Sequence, residues 1–197
     1  SPLHVEYMKE HMEAGVNDEV RLTKQFMKAG RVYGAESYIN GFSGHVVDIL
    51  LLHYGTFTNL LEAARDWKPK VVIDIEGHQQ DPLSINSSKL QSPMVLIDPI
   101  QPERNAAAAL STKRFNEFKR LATSYLEDPS EEYFEIRPLD YQGFKQRHEN
   151  TARLVIKPVD KSKDVAGSKI LKVIGYLKRQ LKKENFRLEG LEWEFRD

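Results

Sequence analysis

Apolar positions recur at helical spacing through most of the first two thirds of the chain. From Asn17, with Asp18 and Glu19 favouring the positive end of a helix, the stripe Val16, Val20 and Met27 predicts a helix that Gly30 stops, with Asn17 as its N-cap. The apolar run from His45 to Tyr54 predicts a central buried helix closed by Gly55, and Thr56 caps a further helix ending near Trp67. Val71-Val72-Ile73-Asp74-Ile75 and Met94-Val95-Leu96-Ile97-Asp98-Pro99 read as short buried strands around a polar loop at 76–93, and Ser111 caps a helix from Thr112 to about Glu127.

Asp128-Pro129-Ser130 is a boundary signal, and the pattern changes behind it. Strand (Tyr133–Arg137), short helix (Tyr141–Glu149), strand (Arg153–Lys157), long helix (Val165–Glu184) and strand (Phe186–Phe195) alternate. The expected fold is therefore α+β: a mostly helical domain over 1–128, then a small β-α-β-α-β sandwich over 129–197. In the last strand the apolar phase slips near Gly190, which predicts a bulge there.

Total charge excludes little, because 29 basic and 29 acidic residues cancel; any electrostatic site must be local. The long helix and its lead-in supply one. From Lys157 to Lys183 nine Lys or Arg stand against two Asp, and Lys169, Lys172, Tyr176, Arg179 and Lys183 lie opposite the stripe of Ile170, Ile174, Leu177 and Leu181. That face is a candidate for RNA phosphates, against the plainer reading of a solvated surface.

The absence of cysteine removes disulfides, thiolate catalysis and cysteine-ligated zinc. No apolar run reaches the roughly 20 residues of a membrane helix, so no membrane association is expected and the chain reads as cytoplasmic. Asp74 and Glu76 share one side of a strand end, as metal-binding carboxylates of phosphoryl-transfer sites do, but Lys70-Val71-Val72-Ile73 precedes them in place of the Gly-Ser turn such sites use. The six histidines match no tight ligand spacing. Neither a catalytic residue nor a metal ligand is assigned.

The series Asp18-Glu19-Val20-Arg21-Leu22-Thr23-Lys24, Val32-Tyr33-Gly34-Ala35-Glu36, Gly41-Phe42-Ser43-Gly44, Asp98-Pro99 and Arg104-Asn105 resembles the archaeal, class I CCA-adding enzymes, tRNA nucleotidyltransferases that build the CCA 3' end. The resemblance covers about residues 1–128, and its strength lies in several short motifs occurring in family order. It implies a central domain that completes a nucleotide pocket, with Ser1, His4, Lys24 and Tyr33 on the triphosphate and Arg104 reading the edge of the incoming base together with tRNA backbone phosphate. It also implies tRNA, CTP and ATP as partners. Mg2+ would be held by a catalytic head domain expected to be absent from this chain, supplied in cis or as a separate subunit. Asn40 and His45 stand where the family usually carries a basic residue and a tyrosine. The opening Ser1-Pro2-Leu3-His4 matches the family's Thr/Ser-Pro-x-His motif and predicts a start inside a longer protein. The alternatives are a noncatalytic RNA-binding protein on the same scaffold and a poly(A)-polymerase-like relative.

Overall fold

The computed structural model describes residues 2–12, 14–78, 90–157 and 162–194, which form two compact units, 1–136 and 137–197. The first unit contains α1 (Pro2–His11), α2 (Val16–Ala29), α3 (Gly44–Tyr54), α4 (Phe57–Asp66), β1 (Val71–Ile73), β2 (Met94–Leu96), α5 (Thr112–Glu127) and a 3-10 turn over Glu131–Phe134.

Local chemistry accounts for most of these boundaries. The side chains of Ser43, Thr56 and Ser111 accept the amides of Val46, Asn59 and Arg114, giving three helices a donor-satisfying start. The start of α2 corrects the expected cap. Gly15, at φ 96°, precedes the helix and its carbonyl takes the Asp18 and Glu19 amides, so Asn17 falls inside the first turn. Glu19 instead serves the neighbouring helix, accepting the Phe57 amide of α4 at 2.7 Å.

α3 runs through the core, burying Val46, Val47, Ile49, Leu50 and Leu51. Phe26 of α2 is ringed by Phe57, Phe118, Tyr125, Tyr133 and Phe134, at ring separations of 5.2–6.4 Å. Trp67 stacks on Phe115 at 5.5 Å and so fastens the end of α4 to α5. β1 and β2 pair in parallel, with Val71, Val72 and Ile73 opposite Met94, Val95 and Leu96. Tyr7 of α1 donates to the Glu76 carboxylate after β1, which gives Glu76 a structural partner. Burial, that hydrogen bond and the Glu76 charge together raise the Tyr7 hydroxyl pKa above its ordinary value.

The second unit contains α6 (Tyr141–Arg147) and α7 (Lys163–Lys183). The α+β class holds in its coarse form, mostly helix with one small sheet, but the expected sandwich is not formed among the described residues. Tyr133 and Phe134 are drawn into the aromatic ring around Phe26 and take a 3-10 turn started by Ser130, in place of a strand. Residues 153–157 and 186–194 run without any strand pairing, leaving Leu154, Val155, Phe186 and Leu188 exposed. The slip at Gly190 consequently has no ladder against which to appear as a bulge. Phe195 lies outside the described residues.

Candidate functional site

Two glycine-rich segments cross beside the start of α3. Phe42 donates its amide to the Val32 carbonyl (2.8 Å), Gly34 to Phe42 (2.7 Å) and Gly41 to Gly34 (2.7 Å), forming an isolated parallel bridge between Tyr33 and Phe42. The approach is so close that a Cβ on Gly41 would lie 2.0 Å from the Val32 oxygen, so no larger residue fits. The crossing carries Tyr33 to the first turn of α3. A Cβ on Gly44 would lie 3.0 Å from the Tyr33 hydroxyl and 3.9 Å from Lys24 Nζ. The bare Gly44 thus leaves a small cradle flanked by a hydroxyl, an ammonium and the first-turn amides of a helix, which have no partner inside that helix. Lys24 Nζ is held by Asp48 Oδ1 at 2.7 Å, with both side chains about a quarter exposed. Lys28 adds a second cation 5.3 Å from the Tyr33 ring centroid.

One residue on, His45 leads into a second cluster. Asp98, at the end of the segment that continues β2, is fully buried. Its Oδ1 accepts the Ile100 and Gln101 amides at 3.0 and 3.2 Å, which closes the loop behind it. His4 Nε2 of α1 reaches both carboxylate oxygens at 3.1 Å, while His45 Nε2 lies 3.2 Å and Arg104 Nη1 3.4 Å from Oδ2. The His4 and His45 rings meet edge to face at 4.4 Å. Burial pushes the Asp98 carboxyl up, but the Ile100 amide, His4, the His45 charge and the Gln101 amide outweigh it, and the group is held below its ordinary value. For His45 the balance runs the other way: burial lowers its pKa by more than Asp98 restores, so the imidazole is held toward its neutral form.

Arg104 is presented by a loop with a firm base. The buried Asn105 accepts the Leu96 and Ala107 amides (3.0 and 2.9 Å) and donates to the Met94 carbonyl (3.0 Å), while the Asp98 amide donates to the Arg104 carbonyl at 3.1 Å. The Arg104 side chain is left 49% exposed above that base, with Nη1 turned to Asp98.

His4, Lys24, Tyr33 and Arg104, far apart in the chain, are therefore linked by a continuous run of contacts through Gly44, His45 and Asp98. Ser1 lies outside the described residues. Lys169, Lys172, Tyr176, Arg179 and Lys183 are all exposed along α7, opposite the half-buried Ile170, Ile174 and Leu177, and belong to the second unit. Sequence reasoning missed three members of the two clusters. Asp48 and His45 could have been found as the polar positions three apart on an otherwise apolar helix. Asp98 was visible only as half of an Asp-Pro pair.

Comparison with known proteins identifies the family of the chain. The profile described as tRNA nucleotidyltransferase, second domain, matches residues 18–135, which contain Lys24, Tyr33, Gly44, Asp98 and Arg104. A CCA-adding enzyme of Methanoregula boonei is 45% identical over 70% of this chain and 28% of its own length. Those of Methanopyrus kandleri and Saccharolobus shibatae are 35% and 33% identical over 95% and 98% of the chain, and 41% and 44% of their own lengths. The chain spans less than half the length of these relatives. It belongs to the archaeal CCA-adding enzyme family and carries the second domain of tRNA nucleotidyltransferases.

Proposed function

We propose that this chain is the nucleotide-gripping and tRNA-docking portion of a CCA-adding tRNA nucleotidyltransferase, working with a catalytic domain that bears the metal-binding carboxylates. The observation that carries the reading is the cradle at Gly44, where Lys24 and Tyr33 meet the start of α3 beside the cluster that presents Arg104.

Lys24 and the helix start would take the negative charge of a nucleoside triphosphate, with Tyr33 donating its hydroxyl and His4 lying at the same end. Lys24 would exchange Asp48 for phosphate, so the unliganded site keeps its cation paired and positioned. Arg104, a rigid fork on a braced loop, would hydrogen-bond the base edge of CTP or ATP, giving selection without a template strand a fixed donor array. The exposed basic face of α7 is suited to tRNA phosphates. In the complete reaction the tRNA 3' hydroxyl attacks the α-phosphorus and pyrophosphate leaves.

Mg2+, when bound, supplies charge neutralisation on the triphosphate. The residues described here do not fit it. Their one group of ligand type, His4, His45 and Asp98, offers two nitrogens and one carboxylate, whereas Mg2+ takes oxygen.

The test is incorporation of labelled CTP and ATP into tRNA lacking its CCA end, by this chain alone and with a separately supplied catalytic domain of a relative. Incorporation only in the mixture is the expected result. RNA binding without incorporation would favour a noncatalytic RNA-binding protein, and addition continuing past CCA would favour a poly(A)-polymerase-like activity.

A further inference from the structure

We infer that His4, His45 and Asp98 form a binding site for a late first-row divalent cation such as Zn2+ or Co2+. The three ligands come from α1, from the first turn of α3 and from the segment after β2, positions separated by 41 and 53 residues, so no spacing motif announces them. Their ligand atoms all lie within 4.8 Å of one another.

The two edges at the carboxylate are close to what a tetrahedral ion needs. With metal–nitrogen and metal–oxygen bonds of about 2.0–2.2 Å, the edge between two ligands of a tetrahedron is about 3.4 Å. Here His4 Nε2 to Asp98 is 3.1 Å and His45 Nε2 to Asp98 is 3.2 Å. A few tenths of an ångström and a modest ring rotation separate the hydrogen-bonded cluster from a coordination sphere. In the neutral imidazoles the proton moves from Nε2 to Nδ1, which leaves an Nε2 lone pair on each ring for the cation.

The carboxylate is already oriented. Asp98 Oδ1 is fixed by the amides of Ile100 and Gln101, an outer shell of the kind that holds a metal-binding carboxylate in place, while Oδ2 faces both histidines. The Asp98 side chain is fully buried, but His4 and His45 keep 13% and 22% of theirs exposed, so the solvent side supplies an entry and a fourth position for water. Among the described residues Arg104 is the cation against the site, and its contact with Oδ2 at 3.4 Å is the longest of the four side-chain contacts to Asp98; being half exposed, it can turn outward when a metal takes that oxygen. Two imidazoles and one carboxylate favour Zn2+, Co2+ or Ni2+ over Mg2+ or Ca2+.

The inference concerns the cation alone and does not rest on nucleotide binding. The 197-residue chain, freed of metal by chelator, is titrated with Co2+ followed by visible absorption and with Zn2+ followed by calorimetry, in the absence of nucleotide. One equivalent is expected, with the absorption of a four-coordinate Co2+ site and no displacement by a large excess of Mg2+. His4→Gln and His45→Gln should each weaken binding roughly tenfold or more, the scale on which even outer-shell losses act. His11→Gln and His148→Gln, which alter histidines outside the cluster, should leave the first equivalent unchanged. Circular dichroism of each variant establishes that it is folded. Absence of a stoichiometric site, displacement by Mg2+, or binding that survives both His4→Gln and His45→Gln in folded protein would overturn the inference.

Discussion

The two units of the chain were read from the same kinds of pattern, yet they differ in how completely those patterns are realised. In the first unit the apolar stripes of α2, α3, α4 and α5 all end in buried contacts, and Phe26, Leu50, Leu60 and Phe118 are sealed from solvent. In the second, Ala166 and Gly167 are the buried residues of α7, and Leu154, Val155 and Phe186 lie open. A helix closes its own backbone hydrogen bonds, so a stripe is enough to predict it. A strand needs a second segment for every amide and carbonyl, and an alternating pattern predicts only the willingness to pair.

The sharpest way to break this contrast is to truncate one large apolar side chain in each unit. Phe26→Ala should destabilise the first unit by about 3–5 kcal/mol, as expected for a buried aromatic, whereas Leu154→Ala should change stability by less than about 0.5 kcal/mol. Urea unfolding read by tryptophan fluorescence in a Trp193→Phe background, where Trp67 reports the first unit, and by far-ultraviolet dichroism for the whole chain would measure both. A large effect at Leu154 would mean that the second unit has a core where these side chains now lie open.

Asn105→Ala should follow, at about 2–3 kcal/mol, because it strips hydrogen bonds from two buried amides and a carbonyl at once. A destabilisation under about 1 kcal/mol would mean that the Arg104 loop is braced by something else. On the second unit, Lys172→Glu with Arg179→Glu should weaken tRNA binding and reduce the slope of log K against log salt by about two; an unchanged slope would remove α7 from the proposed interface.

The smallest effect is a pH dependence confined to the first unit. His45 and His53 both have pKa values lowered from 6.5, chiefly by burial. The unfolded chain therefore takes up protons at these positions first as the pH falls, and their contribution to stability, complete above 6.5, is lost below it. His53→Gln should flatten that acid slope, measured as the urea midpoint across pH 7 to 5. A slope identical to that of the unaltered protein would mean that His53 is solvated.

These differences also mark what was legible beforehand. The caps at Thr56 and Ser111 and the extents of α3 and α5 follow from side chains within a few residues of each other, whereas the Ser43 cap of α3 was not named beforehand. The α2 cap did not, because a left-handed Gly15 displaced the better-capping Asn17 by two positions. Tyr133 and Phe134 read as strand residues until Phe26, more than 100 positions away, supplied a better place for them. In the candidate site, Lys24, Tyr33, His4 and Arg104 were reached through resemblance to a family, while the acids that hold Lys24 and His4, Asp48 and Asp98, emerge only when helices and loops are brought together. Partners separated by 24 to 94 residues leave no spacing to recognise.

The crossing at Gly41 has a practical consequence for anyone wishing to reshape this pocket. Its backbone lies against the Val32 carbonyl with room for a hydrogen and nothing more, so libraries that randomise position 41 would return mostly unfolded clones. Diversity is better spent at His45, where a side chain already exists on regular helical backbone and only its chemistry would change.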